Sequence, residues 1–156
     1  MKNKKLSIVI VNLNGWKYLE ALLKSILGSK TKDYEVIIVD NGSTNDCEKI
    51  DNFCSLDDRF KSVKLHKNVG PAMARNIGVA NTTGKYISFL DNDTLVDKNW
   101  ATEAINYFNK HKKVGIIQCK LLLESDHNKI DYVGEYLGTN GFLVQECSAG
   151  TIDNGQ

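Results

Sequence analysis

Over the first 118 positions, unbroken apolar runs alternate with segments whose apolar residues recur every third or fourth place. The run "LSIVIV" (6–11) is β-branched without polar alternation, the pattern of a strand buried on both faces. Trp16, Leu19, Leu22, Leu23, Ile26 and Leu27 then fall at helical spacing and stop at Gly28. "EVIIV" (35–39) predicts a second buried strand, and Ser43 or Thr44 of "DNGSTND" stands where it can cap a helix through Ile50 and Phe53. "KSVKLH" (61–66) alternates, as a short or edge strand does. Gly70 and Pro71 open the next helix, where proline's missing N–H costs nothing, and Gly84 lies beyond its end. "KYISFL" (85–90) reads as a fourth, buried strand. Asp97 is placed to cap a helix carrying Trp100, Ala104, Ile105 and Phe108, and "VGIIQ" (114–118) predicts a fifth strand.

About four alternations of strand and helix predict an α/β fold, a Rossmann-like and mostly parallel sheet with helices on both faces. From residue 119 the regularity fails. The expected division is therefore 1–118, an α/β unit, and 119–156, the truncated start of a differently built region.

Composition narrows the function classes. The 156 residues are 42% hydrophobic and 25% charged, the profile of a folded globular domain. A net charge of +1 supplies no whole-molecule field for nucleic acid, which is not expected as a partner. The four cysteines (47, 54, 119, 147) lack C-x-x-C spacing and the three histidines lack zinc-finger spacing, so reduced thiols in a cytoplasmic protein are expected. The N-terminal apolar run stops at Asn12, short of a signal peptide's core, and no run approaches the ~18 residues of a membrane span.

In open α/β sheets, ligands bind outside the carboxyl ends of the strands. Asn12 and Asn14 follow the first strand, Asp40 the second, Asn68 the third, and Asp91 and Asp93 the fourth. In an extended segment, residues 91 and 93 face the same side, with Cα atoms ~6.6 Å apart. Two ionised carboxylates so close repel unless a cation lies between them, and an all-oxygen pair suits Mg²⁺ or Mn²⁺ with substrate phosphates completing the shell. The competing reading makes 91–94 a polar turn and Asp40 a turn-capping aspartate. Arg75, one of only two arginines against eighteen lysines, sits early in the helix after Pro71, where a guanidinium can meet a diphosphate or the acids. No G-x-x-x-x-G-K-[ST], G-x-G-x-x-G or G-x-S-x-G occurs, against a P-loop NTPase, a dinucleotide-binding domain and an α/β-hydrolase.

"SIVIVNLNGWKYLEALLKSI", "EVIIVDNGSTND", "NVGPAMARNIGVANTTGKYISFLDNDT" and "VDKNWATEAINYF", in this order, resemble the N-terminal part of a family 2 glycosyltransferase of the GT-A fold. The resemblance covers about residues 6 to 123, and the tail "KLLLESDHNKIDYVGEYLGTNG" is similar to bacterial rhamnosyltransferase-like members. It implies that Asn12 and Asn14 border the donor's base and ribose, and that Asp40 hydrogen-bonds the ring N–H of uracil or thymine. Arg75 and Asn76 would stand near the nucleotide and hold the acids. Asp91 would lie by the ribose and diphosphate, with Asp93, helped by Asp91, on Mn²⁺ or Mg²⁺. The implied reaction moves a sugar from a nucleoside diphosphate donor, UDP or dTDP rather than GDP, to a hydroxyl of a saccharide or lipid-linked acceptor with inversion, at the inner face of the membrane by peripheral association. The family's general base lies further downstream than Gln156, so the chain reads as a donor-binding fragment, inactive alone and prone to self-association. Competing readings are a sugar-phosphate nucleotidyltransferase, which wants a glycine-rich basic loop after the first strand, and a non-catalytic nucleotide-binding module.

Overall fold

The computed structural model describes residues 5–139 and 142–155. They fall into two compact units, 1–106 and 107–156. Strands β1 (Leu6–Asn12), β2 (Tyr34–Asp40), β3 (Phe60–Lys64) and β4 (Tyr86–Asp91) form one parallel sheet in the order β3-β2-β1-β4. Helices α1 (Trp16–Leu27), α2 (Cys47–Ser55) and α3 (Pro71–Ala80) connect them, as parallel pairing requires, and α4 (Trp100–Lys110) follows.

Two apolar layers cover the sheet. Ile8, Ile10, Val36 and Ile38 pack with Leu19, Leu22, Leu23 and Ile26 of α1, Ile50 of α2, and Ala101 and Ile105 of α4. On the other face, Val9, Ile37 and Val39 meet Ala74 of α3. Gly78 lets α3 lie close to the sheet, since a Cβ there would come within 2.4 Å of Val9 Cγ1. The continuous apolar runs of β1 and β2 thus reflect burial from both sides.

Glu35 is 2% exposed near the start of β2, at the sheet edge opposite the carboxyl ends of the strands. It accepts hydrogen bonds from Ser7 Oγ (2.7 Å), Lys61 Nζ (2.9 Å), Thr83 N (2.5 Å) and Thr83 Oγ1 (2.8 Å). Burial alone would raise its carboxyl, but these donors outweigh it and hold the group at about 2. One carboxylate therefore joins β1, β2, β3 and the α3–β4 connection.

Three expectations are corrected. β4 is not buried on both faces: Ile87 is 42% and Phe89 50% exposed, because only β1 flanks it among the described residues and α3 packs over β1 and β2. Residues 114–118 form no strand, and Ile116 is 90% exposed; a β-branched run needs a partner edge to become a strand. Neither Ser43 nor Thr44 caps α2, which starts after Asp46 in the left-handed region (φ 60°) without a side-chain cap. Asp97 accepts from Asn99 N at 2.7 Å in the turn before α4, one step short of the helix itself, which starts at Trp100.

The second unit is built of antiparallel pairs, β5 (Leu121–Leu123) with β6 (Asp126–Tyr132) and β7 (Glu135–Leu137) with β8 (Leu143–Gln145). Ile130 is fully buried in it, and Ile130 N donates to Thr151 O at 2.8 Å. Among the described residues no helix is long and apolar enough to cross a membrane.

Candidate functional site

The chain lays β2 and β3 to one side of β1, then returns to place β4 on the other. Strand order therefore reverses between β1 and β4, and the crevice outside their carboxyl ends is where such sheets bind ligands. Asn12, 2% exposed at the end of β1, spans this reversal: its Oδ1 accepts from Asn92 Nδ2 at 2.9 Å.

The loops after β1 and β2 are clasped together. Asn14, in the left-handed region at φ 53°, accepts at Oδ1 from Thr44 N (2.9 Å) and Thr44 Oγ1 (3.4 Å), while Asn14 N donates to Ser43 Oγ at 2.9 Å. Ser43 and Thr44 are thereby taken from the helix-capping role their residue types suggest. Asp40 is 2% exposed, and its Oδ1 accepts from Ser43 N at 3.1 Å, the turn-capping contact that the sequence allows. Burial, with the Asp40 carboxylate beside it, pushes the Cys47 thiol up, so the cysteine stays a protonated donor near neutral pH.

Asn41 does work that its place in an Asn-Gly turn conceals. It is 3% exposed, its N–H donates to Asn12 O (2.8 Å), its Nδ2 to Asn68 Oδ1 (3.0 Å), and its Oδ1 accepts from Val69 N (3.0 Å). Three loops are tied by one residue, through its backbone N–H and its side-chain amide together. Gly42 (φ 85°) permits the approach, as a Cβ there would lie 2.5 Å from Lys67 C. Its one sequence signal was Asn68, a second amide at a strand end.

Arg75 and Asp91 meet as expected, Nη2 to Oδ1 at 2.7 Å. The Asn76 side chain makes no hydrogen bond among the described residues, so Arg75 alone holds the acid. The same-side placement of residues 91 and 93 assumed extended backbone, and that assumption fails: the strand ends at Asp91, whose carbonyl accepts from Thr94 N (3.2 Å) and Thr94 Oγ1 (2.8 Å) in a turn. Asp93 is exposed in that turn and makes no hydrogen bond or ion pair among the described residues. A free carboxylate of this kind is a hard oxygen donor, the ligand type that Mg²⁺ or Mn²⁺ takes. Among the described residues no group of three His, Cys, Asp or Glu closes a cage, so such an ion would take its other ligands from substrate oxygens and water.

The four-stranded parallel sheet, its helices and its polar carboxyl edge define a GT-A fold. The sequence profile of Glycosyl transferase family 2 matches residues 7–135, and the chain belongs to this family. It is 31% identical over 137 residues to an uncharacterized glycosyltransferase of Rickettsia conorii, covering 88% of this chain and 21% of that protein. It is 27% identical over 158 residues to a teichoic acid poly(glycerol phosphate) polymerase of Staphylococcus epidermidis, covering 95% and 22%. The chain thus spans between a fifth and a quarter of the length of these relatives. Among solved structures, S. aureus TarS 1-349 in complex with UDP-GlcNAc superposes with TM-score 0.64 and 26% identity, over 69% of this chain and 32% of that one. A mannosyltransferase from Pyrobaculum calidifontis, in complex with GDP-Man and Mn²⁺, shares the fold at TM-score 0.69 and 19% identity, over 81% and 38%.

Proposed function

We propose that this chain binds the nucleoside diphosphate sugar, of UDP or dTDP type, for an inverting and metal-dependent glycosyltransferase acting on a saccharide or lipid-linked hydroxyl. The observation that supports the reading is the Arg75–Asp91 ion pair at the carboxyl end of β4, with the Asn12–Asn92 bridge, at the point where strand order reverses. The likeness to TarS holding UDP-GlcNAc supports a uridine nucleotide. Asp40 would read the base, Asn12 and Asn14 would border base and ribose, and Arg75 would hold diphosphate oxygens. Mn²⁺ or Mg²⁺ at Asp93 and Asp91 would offset negative charge on the leaving diphosphate. The carboxylate that takes the acceptor's proton is assigned to no residue of this chain.

The test is thermal stability with UDP, dTDP or GDP, each with Mn²⁺, Mg²⁺ or EDTA. A ligand at 100 times its dissociation constant stabilises by ~2.7 kcal/mol, a shift of several degrees. A pyrimidine-selective shift that EDTA removes is the expected result; no shift under any condition overturns the reading.

Work in the cytoplasm at the inner membrane face, with peripheral association, belongs to the same proposal. So does self-association of this chain, which the flank of β4 left unpaired among the described residues and its exposed Ile87 and Phe89 support. Light scattering should find dimers, and a clean monomer at high concentration would refute that part.

A further inference from the structure

We infer that Ser43 is a specificity-determining residue, its hydroxyl pairing with the Asp40 carboxylate to read the imide edge of uracil or thymine. The inference rests on the donor reading above and deepens it. Ser43 is joined to Asp40 directly, its backbone N–H donating to Oδ1 at 3.1 Å, which fixes the orientation of the carboxylate. Its Oγ accepts from Asn14 N at 2.9 Å, so the hydroxyl oxygen is held in place by the loop after β1. Among the described residues the hydroxyl proton has no acceptor. A half-buried donor of fixed position therefore stands beside a carboxylate acceptor, and Ser43 is the more solvent-open of the two.

Base chemistry supplies what matches this pair. Uracil and thymine present, side by side, a carbonyl oxygen, a ring N–H and a second carbonyl oxygen. The N–H suits Asp40, and the C4 carbonyl beside it, the one that cytosine replaces by an amino group, suits the Ser43 hydroxyl. Cytosine presents a ring-nitrogen lone pair where the N–H would be, facing the carboxylate, and its amino group faces the hydroxyl proton. Acceptor would meet acceptor and donor would meet donor, so cytidine nucleotides are refused by the same two groups. The Cys47 thiol, which donates to Ser43 O at 3.3 Å, helps hold the turn that presents them.

The measurement is calorimetric affinity for UDP and CDP, with Mn²⁺, on the chain and on Ser43→Ala and Ser43→Thr, alongside thermal stability without ligand. The wild-type chain should prefer UDP. Ser43→Ala should weaken UDP about three- to tenfold, the range for one lost neutral hydrogen bond, and leave CDP nearly unchanged. Ser43→Thr should restore the preference. Equal weakening of UDP and CDP, tracking a lowered Tm, would make Ser43 a scaffold residue and overturn the inference. A wild-type chain that binds both equally overturns it while leaving donor binding in place. One that binds neither overturns the donor reading and this inference with it.

Discussion

Glu35→Ala is expected to lower the stability of the fold by about 3–5 kcal/mol, the cost of removing one partner from a buried charged network. Ser7 is fully buried and loses its acceptor, as do Thr83 N and Oγ1; the Lys61 side chain, 51% exposed, recovers water. The pH dependence gives the sharper test. The folded carboxyl is held at about 2, below its ordinary value of 4.5, so its contribution is complete above the ordinary value and is lost as pH falls from there through about 2. A displacement of that size corresponds to something on the order of 3 kcal/mol. Urea midpoints of the wild type should hold above pH 5 and fall steeply below it. Glu35→Gln, which keeps the shape and removes the charge, should start lower and fall less steeply. Asp51, Asp97, Asp126 and Asp153 are also held low, so both proteins share a residual slope. Parallel slopes for the two would show that Glu35 is not the carboxylate responsible.

The central strands were legible because burial on both faces forces an unbroken β-branched run, and β1 and β2 carry it. The flanks were not. "KYISFL" and "VGIIQ" are apolar runs as β1 is, yet among the described residues one pairs on a single side and the other makes no ladder. A side chain's hydrophobicity records a preference for burial, while strand formation depends on a neighbouring edge that lies elsewhere in the sequence. α2 was foreseen but not its start, since Ser43 and Thr44 can cap a helix or bond another loop, and Asn14 in its left-handed conformation claims them.

The site shows the same division. That polar residues crowd the carboxyl ends of the strands followed from counting along the chain. Which of them pair did not. Arg75 with Asp91 was anticipated from position and the family resemblance, whereas Asn41 looked like turn chemistry and proved to tie three loops. The Asp91–Asp93 spacing was read from strand geometry, and the turn to Thr94 removes that geometry. The metal reading now rests on one exposed carboxylate that makes no bond among the described residues and another held by arginine, which makes the two separable by mutation.

Asp93→Ala is expected to weaken metal-dependent UDP binding about a hundredfold while leaving the unliganded Tm nearly unchanged, because an exposed side chain that bonds to none of the described residues contributes within about 0.5 kcal/mol of zero to stability. Arg75→Ala should separate two functions of its neighbour. The Arg75–Asp91 pair is 40% and 67% exposed, so its loss alone should cost less than about 1 kcal/mol of stability. Its removal frees the second Asp91 oxygen and takes a positive charge from beside the metal position, so affinity for Mn²⁺ alone should rise. UDP loses a charge-assisted contact worth about 1.5–3 kcal/mol, so its affinity should fall between tenfold and a hundredfold. Opposite signs for metal and nucleotide in one variant cannot come from unfolding, which would weaken both. Calorimetry of Mn²⁺ and of UDP with Mn²⁺ on the three proteins reads all four quantities. If Asp93→Ala keeps its metal-dependent binding, residues 91–94 are a turn and no more, and the diphosphate is held by Arg75 without an ion at this place.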